Sequence, residues 1–386
     1  MADTRATPGT RATQAARAVP GVKAAPGAKA GPEERAGPGL TDGPEAKARP
    51  GVTAAPGARA GPGMTAAPGE RAAPGETGAA ADRYAYLGPE GTFTEAALAA
   101  FDATAGERAV PYPSVQATLD AVRGGEADRA VVPIESSVEG AVTATLDELA
   151  TGPDLAIAAE VLLPVVFALL AREGTSLTDV KTVGGHPQAQ PQCRRWLARH
   201  LPAAAWHPTS SNAEAARQVA EGQIDAALAG AFAAGRYGLA VLASDVNDVP
   251  DAVTRFVVVG RPGPVPAPTG ADRTSLVAFL REDHPGALME LLTEFAVRGI
   301  NLTRIESRPT GDGLGRYCFS IDCEGHLDDA RVGEALMGLR RVSADVRFLG
   351  SYPRCDGGRT QVRPGTSDAE FAQAAAWLAR LRYGRV

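Results

Sequence analysis

Near residue 250 the chain reads DVPDAVTRFVVVG. Phe256 to Val259 form an apolar run that reads as a buried strand, yet a hydroxyl, Thr254, and a guanidinium, Arg255, stand directly before it. Polar groups entering a core must find partners. Read from the residues alone, Thr254 pairs with a strand edge and Arg255 makes a surface ion pair. Four other stretches mix small and polar residues as strand-to-helix loops do: GPEGTFT, IESSVEG, GGHPQAQPQ and TSSN. Each offers free backbone N–H groups at a helix start, which bind carboxylates or phosphates. Singly, each is a plain helix cap; converging, they suit a small molecule with more than one acidic group. His186 is a candidate base or a hydrogen-bonding loop residue, and Glu135 either caps a helix or acts as a buried acid. No His/Cys/carboxylate spacing points to a metal. No G-x-G-x-x-G follows the first strand and no Walker loop occurs, so no nucleotide cofactor is expected.

The elements around these residues alternate. Tyr84–Leu87 reads as a strand, and Thr92 with Glu95 makes a T-x-x-E capping box that opens a helix. VQATLDAVRGG is a helix, RAVVPIESS a strand, VTATLDELA a helix, and LAIAAEVLLPVVFALLA one long strand or two short ones. KTVGG is a strand, followed by a helix through QCRRWLARHL. Ser211 and Glu214 form a second capping box before NAEAARQVAEG, then come strand DAALAG, helix AFAAGRYG and the strand after Thr254. Such alternation predicts an open α/β sheet, mostly parallel. About 175 residues is long for one sheet, so two lobes with a cleft between them fit better. Residues 262–273 carry several prolines and read as a linker. Beyond it TSLVAFL, a helix with Leu288, Leu291, Leu292 and Phe295 on one face, INLTRIESRP, GRYCFSIDCEG, DDARVGEALMGLRR and DVRFLGSYP spell βαββαβ, a ferredoxin-like unit. Residues 354–386 are an extension with one short helix.

Residues 1–81 form a separate regime of hexads such as AAPGAK and AAPGER, with Pro-Gly in the middle of most. Too little apolar surface is present to offset ordering entropy, so disorder is expected. The 386-residue chain carries a net charge of -6, which gives no reason to expect nucleic acid or an anionic membrane as partner. The four cysteines, at 193, 318, 323 and 355, contain no C-x-x-C pair and read as buried thiols. No run is long enough for a membrane span and no secretory leader is visible, so a cytoplasmic protein is expected.

YLGPEGTFTEAAL, VVPIESSVEG, HPQAQPQC, SNAEAA and VTRFVVVG, in this order, resemble the catalytic domain of prephenate dehydratases; HPGALMELL and IESRP resemble the ACT regulatory domain of the same enzymes. The resemblance runs from about residue 84 to 353, and the full ordered set is highly specific. It implies a catalytic domain at 82–261, folded in two lobes like periplasmic binding proteins, with the active site between them, and an ACT domain at 274–353. It implies conversion of prephenate to phenylpyruvate without a cofactor, by a lyase of phenylalanine biosynthesis. Thr254 is the residue the family holds essential, where the resemblance implies a hydroxyl that donates to, or relays a proton toward, the departing ring oxygen, with Ser136, Gln192 and Glu135 as further catalytic candidates and Arg255 either structural or helping to hold the dianion. Thr92, Phe93, Ser137, His186, Ser211, Asn212, Arg255 and Phe256 are candidates for binding substrate. Phenylalanine would bind as feedback inhibitor between ACT domains of a homodimer or homotetramer, near Gly286, Ala287, Leu288, Asn301, Glu306, Ser307, Arg308 and Pro309.

Two positions depart from the pattern. Ser136 stands where the family usually has Asn, and Gly185 where it often has Ser before His-Pro; Gln192 fits the second Gln of the family's loop. Two other readings compete. A prephenate decarboxylase that leaves the ring non-aromatic would be expected to lack the regulatory domain and to alter the motif around Thr254, and both are present here. A non-catalytic metabolite sensor draws support only from Ser136 and Gly185.

Overall fold

The structure, a computed structural model, describes residues 81–384 apart from 312, 314 and 315. The hexad tail, except for Ala81, lies outside the described residues. The first lobe contains β1 (Tyr84–Leu87), α1 (Phe93–Phe101), β2 (Ala109–Tyr112), α2 (Val115–Arg123), β3 (Arg129–Ser136), β4 (Gly140–Ala141), α3 (Thr143–Thr151) and β5 (Ala156–Pro164). The chain then crosses to a second lobe of β6 (Ala168–Ala171), β7 (Thr182–Gly185), α4 (Ala189–Gln192), α5 (Arg194–His200), β8 (Ala205–Pro208), α6 (Asn212–Ala220), β9 (Ala226–Ala229), α7 (Phe232–Tyr237) and β10 (Ala240–Ala243). It returns as β11 (Val253–Gly260). A C-terminal domain follows: β12 (Asp272–Phe279), α8 (Ala287–Ala296), β13 (Leu302–Pro309), β14 (Tyr317–Glu324), α9 (Ala330–Val342) and β15 (Asp345–Pro353), with α10 (Asp368–Tyr383) beyond it.

The long apolar stretch resolves into two strands in two different sheets. Pro164 lacks an N–H and ends β5, and after three intervening residues β6 begins in the second lobe. Strand order is β2-β1-β3-β11-β5 in the first sheet, with β4 on β3, and β10-β6-β9-β7-β8 in the second. These sheets are mixed rather than mostly parallel. β11 runs antiparallel to both β3 and β5, and β6 antiparallel to both β9 and β10. The cause in the first sheet is the double crossover: β11 re-enters the first lobe beside the end at which β5 leaves it.

β11 is buried on both faces, as its continuous apolar run requires. Val257 and Val259 pack with Leu119, Leu146 and Ile157, while Phe256 and Val258 pack with Tyr86, Leu98 and Val161. The C-terminal sheet, ordered β13-β14-β12-β15, is antiparallel throughout and covers α8 and α9 with Leu276, Ile321, Leu291 and Phe295. Its other face joins the first lobe, so Val277, Leu349 and Tyr352 share a core with Leu149 and Ile157. β15 passes so close to β5 that a Cβ on Gly350, at φ +143°, would collide with the Ile157 carbonyl. Of the four thiols, Cys193, Cys318 and Cys323 are buried as expected, but Cys355, just past β15, is exposed.

Candidate active site

A cleft of about 810 Å³ opens between the lobes, at the strand-to-helix loops. All four polar junctions meet there. GPEGTFT supplies Pro89, Thr92 and Phe93; IESSVEG supplies Ser136 and Glu139; the His-Pro loop supplies His186, Gln188 and Gln192; TSSN supplies Ser210, Ser211 and Asn212. Thr254 and Phe256 complete it from β11.

Pairing register decides which neighbours of Thr254 reach the cleft. Thr254 opposes Ser136 and Arg255 opposes Glu135, but a bulge then places Phe256 opposite Pro133. The extra β3 residue changes that strand's phase. Pro133 and Ser136 therefore both line the cleft with Thr254 and Phe256, while Arg255 and Glu135 do not. Arg255 is buried and bonded to Glu135, Glu160 and Asp322 instead. This corrects its expected contact with substrate, and Glu135 is an ion-pair partner rather than a lining acid. Ser137 also misses the cleft; its Oγ accepts the Val253 N–H at 3.0 Å.

Most of the expected hydroxyls are already engaged. Thr92 accepts the Glu95 N–H at 3.3 Å and donates to Leu87 O at 3.2 Å, and Ser211 accepts the Glu214 N–H at 3.0 Å. Only half of each capping box forms, because Glu95 turns to the Gly91 N–H and Glu214 to Arg217. Ser136 Oγ accepts the N–H groups of Val138 and Glu139, both at 3.3 Å, and so folds the turn after β3. Of the cleft hydroxyls singled out in the sequence, only that of Thr254 has no hydrogen-bond partner among the described residues.

Asn212 Oδ1 accepts the His186 N–H at 2.8 Å and ties two junctions together. Burial pushes His186 below its ordinary value, against the opposing pull of Glu139, and so favours the neutral ring. Gln192 Nε2 donates to Glu139 Oε1 at 3.2 Å across the cleft. Glu139, Gln188, Ser210, Phe167 and the start of α3 were missed as lining residues in the sequence reading. Glu139, Gln188 and Ser210 lie within IESSVEG, GGHPQAQPQ and TSSN, but which side chains of these loops face inward is set by their turns in three dimensions.

Among the described residues that line the cleft there is no Lys or Arg. Positive potential comes from helix starts: α1, α3 and α6 all begin at the cleft, and Val142 leaves α3 without a side-chain cap. Phe93 stacks edge-on against Phe167 and Phe232, with centroids 5.5 and 5.3 Å away, and so bridges the lobes. At the rim Tyr237 donates to Glu90 O at 2.6 Å, and Arg236 pairs with the Glu90 carboxylate. Asn247 bolts the two crossovers by donating to Val165 O at 2.7 Å and accepting from Phe167 N at 2.6 Å.

A smaller hollow of about 270 Å³ lies on the helical face of the C-terminal domain. Gly286, Ala287, Leu288 and Ser307 line it with Tyr317 and Phe319. Asn301, Glu306, Arg308 and Pro309 do not. β13 alternates, so Ser307 faces α8 while Glu306 and Arg308 fall on the opposite face. There Arg308 grips Asp147 of α3 through two bonds of 2.8 Å.

The family model for prephenate dehydratase matches residues 84–264, and that for the ACT domain matches 274–341. The prephenate dehydratase of Mycobacterium tuberculosis is 51% identical over 311 residues, covering 78% of this chain and 95% of that one. A crystal structure of prephenate dehydratase from Arthrobacter aurescens in complex with L-Phe is 52% identical, with a TM-score of 0.74, over 77% of this chain and 98% of that one. GqqA, described as a novel type of quorum-quenching acylase, is more distant: 30% identity and a TM-score of 0.62 over 70% of this chain and 97% of that one. The chain therefore belongs to the prephenate dehydratase family, in the form that carries a C-terminal ACT domain.

Proposed function

We propose that the interlobe cleft converts prephenate to phenylpyruvate. Prephenate carries two carboxylates, and the N-termini of α1, α3 and α6 face the cleft, that of α3 without a side-chain cap, as sources of positive potential where no cationic side chain lines it among the described residues. Phe93, Phe167 and Phe256 supply an apolar wall for the ring. The bond to the ring carboxylate breaks and its electron pair enters the ring, CO2 departs, and the C4–O pair leaves with the oxygen. Hydroxide is a poor leaving group, so the oxygen needs a donor as charge builds on it. The unpartnered Thr254 hydroxyl is the observation that carries this reading. It is too weakly acidic for a general acid at pH 7 and acts as a preorganised donor or proton relay. Gln192, held by Glu139, orients the substrate, and Ser136 shapes the turn beneath it. His186 contributes as a neutral ring.

Thr254→Ala tests the assignment. Turnover should fall by about 10²–10³-fold with KM little changed, since the donor acts mainly in the transition state. Near-normal turnover would refute it. The ACT hollow is the seat of L-phenylalanine in this reading. Gly286, at φ +97°, starts α8 without a side-chain cap and leaves N–H groups open to a carboxylate, while Leu288, Tyr317 and Phe319 suit an aromatic side chain. The L-Phe complex of the Arthrobacter relative supports an L-phenylalanine site in this chain; in this reading a second copy of the chain, as homodimer or homotetramer, closes it.

A further inference from the structure

Thr254 and Arg255 are adjacent on β11 and serve opposite faces of the sheet. Arg255 is only 4% exposed, and its guanidinium takes partners from both domains. From the first lobe, Glu135 Oε2 accepts from Nε and Glu160 Oε2 from Nη1, each at 3.2 Å. From the ACT sheet, the Asp322 carboxylate accepts from Nη2. Asp322 is fully buried on β14 and is itself held by Arg304 at 2.8 and 3.0 Å and by Ser275 Oγ at 2.7 Å. Glu160 also takes Arg273 at 3.0 Å. Three guanidinium groups thus meet three carboxylates at the domain border, with Glu135, at 36% side-chain exposure, as the one partner near solvent. Burial opposes the Asp322 charge, but Arg304 and Arg255 outweigh it and keep the carboxyl below its ordinary range.

Apolar packing would hold two domains together at least as well as such a network. What the network adds is direction. A planar guanidinium gripped at three nitrogens fixes its own backbone, and consecutive Cα atoms are about 3.8 Å apart, so it fixes that of its neighbour too. We propose that Arg255 is a positioning residue for the dehydratase reaction and that Asp322 of the ACT sheet is its anchor, so that the regulatory domain holds the strand end from which Thr254 reaches the substrate. This rests on the assignment of Thr254 to the departing hydroxyl.

The test uses the full-length protein with Asp322→Asn, Thr254→Ala and the double variant, each checked for folding by circular dichroism and melting. A displacement of under 1 Å at a reacting group is costly, so Asp322→Asn should lower kcat by about tenfold or more while KM for prephenate moves less than about threefold. Because the anchor acts through Thr254, the double variant should be no slower than Thr254→Ala alone. Wild-type kcat in Asp322→Asn, or losses that multiply in the double variant, would overturn the proposal. Glu135→Gln removes a single partner near solvent, serves if Asp322→Asn does not fold, and should give a smaller, equally non-multiplying loss; an unchanged kcat there would overturn the proposal. Near-normal kcat in Thr254→Ala sinks the underlying assignment; a slow Thr254→Ala beside a normal Asp322→Asn sinks the anchor alone.

Discussion

Gly185 and Trp206 form a matched pair in the wall behind the cleft. A Cβ on Gly185 would stand 2.8 Å from the Trp206 ring and 3.4 Å from Asn212 Oδ1. The serine often found at this position therefore does not fit beside Trp206. Gly185→Ser should destabilise the protein by about 1–3 kcal/mol in urea unfolding, and Trp206→Leu added to it should recover most of the loss. Ser136 differs from the family pattern without such a constraint. Its Oγ serves the turn to Glu139, a task an Asn side-chain oxygen also performs. Ser136→Asn should keep turnover equal or raise it, read as phenylpyruvate formed per unit time; a large drop would assign Ser136 a role of its own. Residue types marked much of this cleft in advance, because strand-to-helix loops must expose N–H groups wherever they fall. They did not reveal that Arg255 points away, since alternation gives two faces without saying which one meets solvent.

Which face an element presents is a matter of register. The bulge between Arg255 and Phe256 puts Glu135 with Arg255 and leaves Ser136 with Thr254. The alternation of β13 sends Ser307 to the ACT hollow and Arg308 to Asp147. Helices, strands and the βαββαβ order were legible because periodicity and capping are local. The bulge, the mixed sheets and the split of the stretch around Pro164 were not, because each depends on a partner strand far away in sequence. The lobes are joined at the rim by α7, through Tyr237 and Arg236 on the β1–α1 loop. Tyr237→Phe removes one bond worth about 0.5–1.5 kcal/mol from the closed arrangement. KM for prephenate should rise about two- to tenfold with kcat undiminished. A lower kcat at unchanged KM would mean that this contact acts on the chemical step rather than on closure.

In the molecule as a whole, one sheet serves two sites. β14 sends Tyr317 and Phe319 to the ACT hollow on one face and Asp322 to Arg255 on the other, and β13 divides Ser307 from Arg308 in the same way. α3 receives Arg308 at Asp147, and its first turn lines the substrate cleft. In the proposed reading, a ligand in the hollow contacts strands that also touch the catalytic lobe, through Asp322 to Arg255 and Arg308 to Asp147. The most direct measurement is prephenate turnover by the purified full-length protein, with and without L-phenylalanine, followed as phenylpyruvate. Phenylpyruvate should form without added cofactor, at a rate that L-phenylalanine lowers. No phenylpyruvate from a folded protein, or a rate that saturating L-phenylalanine leaves untouched, would contradict the account.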